Sequence, residues 1–283
     1  MALSDIGTIK TILSKHGFTF SKEMGQNFLI NPSVCPRMAE SSIKSDNTGV
    51  LEIGPGIGVL TSEIAKRAKK VVCVELDTRL IPVLDETLSE FDNVTVINAD
   101  VLKIDLHKVI EEHFSGMDVV VCANLPYYIT SPIIMMLLES RLPIQSITVM
   151  VQREAADRLC ASVGERKSGA VTVAVNYYSV AKKLFDVSRG SFMPAPNVDS
   201  AVIQLEIRNE QATRVSDERK FFKIVRAAFQ QRRKTVSNSV SSVLSIKKND
   251  VTQALKACGI KETARAEELS MEDLFALSEK IEL

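Results

Sequence analysis

The stretch NLPYYITSP (124–132) follows directly on DVVVCA, a run of β-branched and apolar residues of the kind that forms a fully buried strand. An amide, a proline and two tyrosines at a strand end suit either a turn or a site that holds a flat polar ring. A second candidate lies upstream. In LEIGPGIG (51–58), Gly54, Gly56 and Gly58 sit where a strand gives way to a helix, and glycine there lets the backbone turn sharply and lie against a ligand. A dinucleotide fingerprint would need a third small residue where Val59 stands, and a P-loop would need Gly-Lys-Ser/Thr, which is absent. The reading left is a ligand without a pyrophosphate, for which the acidic Glu52 before the turn is tolerable.

S-adenosylmethionine meets that description, being a nucleoside with an amino-acid tail and a sulfonium cation. Glu75 ends the next strand pattern, VVCVEL, about 20 residues on, where a carboxylate can accept from ribose hydroxyls. Asp100, closing VTVINAD, is placed for an adenine amino group. Singly, each carboxylate is more simply a solvated strand end; strand-end acids after two successive strands, both downstream of the glycine turn, favour a site. NLPY ends the fourth strand of this series, on the same sheet edge. An exocyclic amine on an aromatic base is a poor nucleophile, so a methyltransferase must orient it and accept its protons as charge develops. Asn124 offers a side-chain carbonyl, the Leu125–Pro126 peptide can direct a backbone carbonyl to the same point, and Tyr127 offers a stacking face worth roughly 1–3 kcal/mol.

These residues need elements to position them. From residue 50 the chain alternates β-type runs (VLEI, VVCVEL, VTVINA, DVVVCA, ITVMVQ) with helical patterns (TSEIAKRAKK, RLIPVLDETLSEF), which predicts an α/β doubly wound, largely parallel sheet covered on both faces. VTVAVNYY (171–178) reads equally as strand or helix. A Pro-rich loop, SFMPAPNVDS, precedes a late strand, AVIQLEI. NEQATRVSDER then reads as a linker, and beyond it FFKIVRAAFQQRRKTV, NDVTQALKACG and MEDLFALSEKIEL all read as helix. This predicts a catalytic domain over 1–209, with an N-terminal arm over 1–30, and an all-helical domain over 210–283.

Thirty-five basic and thirty-five acidic residues cancel, so any nucleic-acid footprint must be a local patch. Between Arg214 and Lys234 eight basic residues stand against two acidic ones. At helical spacing Lys223, Arg226, Gln230 and Arg233 share one face and Phe221, Val225 and Phe229 another, a basic stripe over an apolar face that suits phosphate-backbone contact, with Arg232 and Lys234 beside it. Five scattered cysteines without a CxxC pair argue for free thiols rather than a disulfide or zinc framework. Three histidines without metal-ligand spacing predict no metal. The start lacks an apolar core of signal-peptide length and no apolar run reaches a membrane span, so the expectation is a soluble, cytoplasmic protein.

The motifs GQNFL (25–29), EIGPGIG with LT (52–61), VELD (74–77), NAD (98–100), NLPY (124–127), VQRE (151–154), FMPAPNVDSAV (192–202) and FQQRRKT (229–235) occur in this order. Through them the chain resembles the bacterial small-subunit (16S) ribosomal RNA adenine N6,N6-dimethyltransferases, the kasugamycin-sensitivity family, from about residue 18 to the end. The resemblance implies a class I S-adenosylmethionine-dependent fold of seven strands with the last antiparallel. It implies cofactor contacts from Gln26, Asn27, Leu29, Gly54, Gly56, Glu75, Leu76, Asp100, Val101 and Asn124, and a flipped base held between Tyr127 and Phe192, with Asn124 and the Leu125 carbonyl on its amine. It further implies a monomer that dimethylates two adjacent adenosines near the 3′ end of 16S RNA in a pre-ribosomal particle. Ser168-Gly169 stands where relatives usually carry Tyr-Gly, and Arg153 where Lys is usual. A large-subunit RNA adenine methyltransferase of the macrolide-resistance type, an assembly checkpoint factor with methylation secondary, and a DNA adenine methyltransferase are the competing readings.

Overall fold

The computed structural model describes residues 3–18, 27–208 and 215–283. Its strands are β1 (Phe28–Leu29), β2 (Thr48–Ile53), β3 (Lys70–Glu75), β4 (Val94–Asn98), β5 (Asp118–Asn124), β6 (Ser146–Gln152), β7 (Ser179–Val187), β8 (Phe192–Met193) and β9 (Ser200–Ile207). Seven of them form one sheet in the order β4-β3-β2-β5-β6-β9-β7. Pairing is parallel from β4 through β6, and β9 runs antiparallel to β6. This is the α/β class I architecture with one late antiparallel strand that the resemblance implies.

The apolar runs form parallel strands because helices cover both faces: β2 is buried along its whole length, and β5 everywhere but its two ends. The connecting helices include Val34–Ser42, Val59–Ala65, Ile81–Thr87, Leu106–His113 and Thr130–Glu139. Their starts follow ordinary capping chemistry. The Asp105 carboxylate, for example, accepts from the backbone N–H of His107 and Lys108 at 3.0 and 3.2 Å.

Two local expectations need correction, those for SFMPAPNVDS and for the basic helix, and two further segments find their place. SFMPAPNVDS is not wholly loop, because Phe192–Met193 pairs antiparallel with β1, Leu29 opposite Phe192. The segment SVAKKLFDV forms β7, an edge strand whose lysines break the apolar pattern that marks the inner strands. VTVAVNYY lies in the helix Ala170–Tyr178. The basic helix is shorter than its periodicity suggests: it spans Glu218–Gln230, and Thr235 caps a new helix, Val236–Leu244, by accepting from the Asn238 N–H. Arg233 therefore sits in the intervening turn with Arg232 and Lys234, not on the face that Lys223 and Arg226 share.

The chain forms two compact units, Met1–Ala156 with Ala181–Ile207 and Asp157–Val180 with Arg208–Leu283. The second thus takes in residues 157–180 as well as the C-terminal helices, where the sequence places a single cut at 209. An aromatic cluster supplies the reason. Tyr177 stacks on Phe221 with ring centroids 5.6 Å apart, Tyr178 stacks on Phe222 at 5.3 Å, and both hydroxyls donate to the Glu218 carboxylate. That packing also resolves the helix-or-strand ambiguity of VTVAVNYY.

In the first unit the backbone of β2 lies close against a helix end. A methyl group added at Gly49 would fall 2.4 Å from the Phe114 ring. Gly49→Ala is therefore expected to lower stability by about 1–3 kcal/mol through overpacking, read in urea as a lower midpoint at unchanged slope.

Candidate functional site

Strand order reverses at β2, with β3 on one side and β5 on the other, and a crevice opens at the carboxyl ends of these strands. The cavity there, with an empty volume of about 1130 Å³ including its open mouth, is lined by Asn27, Leu29, Gly54, Gly56, Glu75, Leu76, Asp100, Val101, Asn124, Leu125, Pro126, Tyr127 and Phe192. Those are the described residues that the motifs nominate for cofactor and base; Gln26 lies outside the described residues. Lys223, Arg226, Arg232, Arg233 and Lys234 belong to the second unit, and all five are exposed.

The glycine turn is built on positive φ angles, +68° at Gly54 and +87° at Gly58. No atom lies within 4 Å of the point where a Gly54 side chain would begin, so a side chain there would enter the cleft that Gly54 lines. The Gly54 N–H donates to the Val74 carbonyl at 3.0 Å, joining the turn to β3. Glu75 completes the junction, accepting from the N–H of Asp77 at 2.8 Å and of Gly56 at 3.4 Å. Burial nevertheless raises its carboxyl pKa, against the pull of those two backbone donors. Asp100 stands two residues past β4, and the Leu102 N–H, with Lys103 adding to it, holds its carboxyl below the usual range.

Tyr127 opens a turn of 3-10 helix after β5, and its hydroxyl lies 2.7 Å from the Ser200 Oγ at the start of β9. Phe192 reaches the cleft through the β1–β8 ribbon, which Asn31 ties further by donating from Nδ2 to the Ser191 Oγ at 3.2 Å. Sequence reasoning assigned no role to Ser200, nor to Phe28, which also lines the cavity. Only the folded chain sets these residues beside Tyr127 and Gly56.

Among the described residues the lining carries three acids, Glu52, Glu75 and Asp100, and no lysine, arginine or histidine. With Asp100 held in its ionised form, such a site disfavours a pyrophosphate and suits a cationic ligand. With a glycine opening, ribose-type acceptors and two amides, the donor set fits S-adenosylmethionine. Among the described residues no group of three or more His, Cys, Asp or Glu side chains could hold a metal ion. No helix of the described residues is long and apolar enough to cross a membrane.

Residues 17–283 match the ribosomal RNA adenine dimethylase family. The chain belongs to that family. Among curated relatives, the ribosomal RNA small subunit methyltransferase A of Geobacillus thermodenitrificans is 50% identical over 276 residues, covering 96% of this chain and 94% of the relative. The protein of the same name from Geobacillus sp. (strain WCH70) is 47% identical over 280 residues, covering 98% and 96%. Among solved structures, a dimethyladenosine transferase from Plasmodium falciparum superposes with a TM-score of 0.67 at 26% identity, over 88% of this chain and 95% of that one. The 23S rRNA methyltransferase ErmE gives 0.64 at 28% identity, over 90% and 99%.

The two positions that the resemblance marks as departures, Arg153 and Ser168, are not among the described residues lining the dimethylase cleft. Arg153 is half exposed and pairs with Asp199 at 2.9 Å and Asp186 at 3.8 Å. Ser168 is fully buried in the second unit, where its Oγ has no hydrogen-bond partner.

Glu52 is the least solvated acid of the dimethylase cleft, at 1% exposure. Burial pushes its carboxyl from the ordinary 4.5 up to about 8, although Thr61 and the Cys73 thiol, 3.6 Å away, pull the other way. Between those two values the unfolded chain has released a proton that the folded chain keeps, so this group's stabilisation, full below 4.5, is lost as pH rises toward 8. The slope is at most about 1.4 kcal/mol per pH unit. In urea titrations from pH 5 to 8, Glu52→Gln is expected to flatten the decline seen in the wild type; parallel curves would contradict a protonated Glu52.

Proposed function

We propose that this dimethylase transfers methyl groups from S-adenosylmethionine to the N6 amines of two adjacent adenosines near the 3′ end of small-subunit (16S) ribosomal RNA, acting as a cytoplasmic monomer on a pre-ribosomal particle. The observation that carries the reading is NLPY at the end of β5, inside a cleft whose described lining holds three acids and no cation. Likeness to relatives named as small-subunit methyltransferases, at 47–50% identity against 28% for the 23S enzyme, supports the small subunit as the substrate particle.

When bound, S-adenosylmethionine supplies an electrophilic methyl group. Glu75 would accept from its ribose and Asp100 from its adenine amine, with Asn27, Leu29, Gly54, Gly56, Leu76 and Val101 walling the nucleoside. Gln26 is assigned to the same pocket on the resemblance alone. The Asn124 side-chain carbonyl and the Leu125 carbonyl orient the target amine and draw its protons as the nitrogen becomes positive. Once methylated, that nitrogen is acidic enough to lose a proton to solvent, so no strong base is needed. Tyr127, its ring fixed through Ser200, and Phe192 hold the base between them. The chain's contribution is orientation, which can lower such a barrier by roughly 7–11 kcal/mol. On the second unit, Lys223, Arg226, Arg232, Arg233 and Lys234 supply cations for phosphate contact.

Asn124→Ala is expected to slow methyl transfer by roughly 10²-fold or more, while cofactor binding stays measurable. Mass spectrometry of dimethyladenosine in unmethylated small-subunit particles reads the first and calorimetry with S-adenosylmethionine the second. Full activity in this variant would remove Asn124 from the proposed role.

A further inference from the structure

Among the described phenylalanines and tyrosines, Tyr128 is the one exposed residue, at 59%. It also lines the methyl-transfer cleft, so it stands at the mouth and not in the interior. A single exposed apolar side chain elsewhere on a surface needs no explanation. At the mouth of a site it does, because the part of a substrate left outside must lie against it. The other exposed large apolar residue of the described lining is Leu76, at 50%, which the reading above gives to the donor nucleoside. Tyr128 has no such assignment, and among the described residues its ring and hydroxyl have no stacking or hydrogen-bond partner.

Tyr127 and Tyr128 share the 3-10 turn that follows β5. With three residues per turn, neighbouring side chains there diverge by about 120°. Tyr127 is partly buried and its hydroxyl lies 2.7 Å from the Ser200 Oγ, whereas Tyr128 stays in solvent. Both sit on the half of the sheet formed by β5, β6 and β9, across β2 from the ends of β3 and β4, where Glu75 and Asp100 stand. Tyr128 is therefore on the acceptor side of the cleft. A base that enters the cleft must leave its stack, and the nucleotide joined to it loses a stacking neighbour while the backbone holds it near the mouth. An exposed phenol ring replaces that neighbour, since an aromatic face accepts any base. The described lining offers no cation to a phosphate, so a nucleotide at this edge is held through its base.

We propose that Tyr128 stacks on the base of the nucleotide next to the one being methylated. The inference rests on the ribosomal RNA reading above, in which that neighbour is the other target adenosine. The ring then holds one adenosine of the pair while its partner occupies the cleft, and it binds substrate without touching the reacting amine.

The test uses full-length protein, S-adenosylmethionine and unmethylated small-subunit particles. Y128A is expected to raise KM for the particles roughly tenfold and to leave kcat within about twofold of the wild type, the pattern of lost uniform binding. Y128F and Y128W should keep the wild-type KM, whereas Y128L, apolar but without a π face, should behave as Y128A does. Calorimetric affinity for S-adenosylmethionine should be unchanged in all four, which also reports that each is folded. Particles rebuilt with one of the two adenosines abasic leave the other without a neighbouring base and complete a double-mutant cycle. The wild type should bind these roughly tenfold more weakly than intact particles, and Y128A should bind both alike. If the wild type leaves intact particles unmethylated, the ribosomal RNA reading fails. If it methylates them and Y128A keeps the wild-type KM, the stacking proposal fails alone. A loss of S-adenosylmethionine affinity in Y128A that Y128F reverses would put the ring over the donor, and equal losses by Y128A on intact and abasic particles would put it against another part of the RNA; either result overturns the assignment.

Discussion

Parallel strands covered on both faces leave polar side chains almost nowhere to go except the strand ends. β2, β3 and β5 obey this constraint: apart from Thr48, Gly49, Lys70 and Asp118 at their starts, they run through apolar residues and finish with Glu52–Ile53, Glu75 and Asn124. Since β3 and β5 flank β2 on opposite sides, the helices that follow diverge, and the three polar ends meet in the gap. The glycine turn, the Tyr127 turn and the β1–β8 ribbon are additions around that gap. A site of this kind is rigid because the groups that do chemistry terminate the most buried part of the sheet.

Charge separation is the second organising feature. The chain is neutral as a whole, yet among the described residues the methyl-transfer cleft is lined by three carboxyl groups and no cation, while Lys223, Arg226, Arg232, Arg233 and Lys234 lie exposed on the second unit. A methyl donor that is a cation is suited by surroundings of the first kind. Within the acidic cleft the three carboxyls also differ: Glu52 is driven toward its neutral form by burial, whereas Asp100 is held ionised by a backbone donor and Lys103.

The inner strands were legible in the sequence because apolar runs punctuated by Gly54 and by strand-end acids have few alternative folds. β7 was not, since an edge strand carries Lys182 and Lys183 where an inner strand would carry valine. VTVAVNYY has strand propensity throughout and is helical because Tyr177 and Tyr178 find Phe221, Phe222 and Glu218, partners about 40 residues away. That Gly54, Glu75, Asp100 and Asn124 could share a cleft was readable from their places at the glycine turn and successive strand ends, whereas Asn27 and Phe192 were placed with them by the family resemblance alone. The raised pKa of Glu52 and the Ser200 contact that fixes Tyr127 were not, because each depends on tertiary neighbours that no local pattern encodes.

The ribbon that carries Leu29 and Phe192 into the cleft joins segments from opposite ends of the first unit; Asn31 and Ser191, which bond across its flank, are 160 residues apart. Loop-closure entropy makes so distant a pairing slow to form relative to the local βα units. During synthesis, the half-sheet that bears the glycine turn and the acids can be complete while the wall that Phe192 supplies is still in the ribosome. Until Phe192–Met193 pairs with Phe28–Leu29 the cleft stands open on that side, so its enclosure is among the last events in the folding of the first unit.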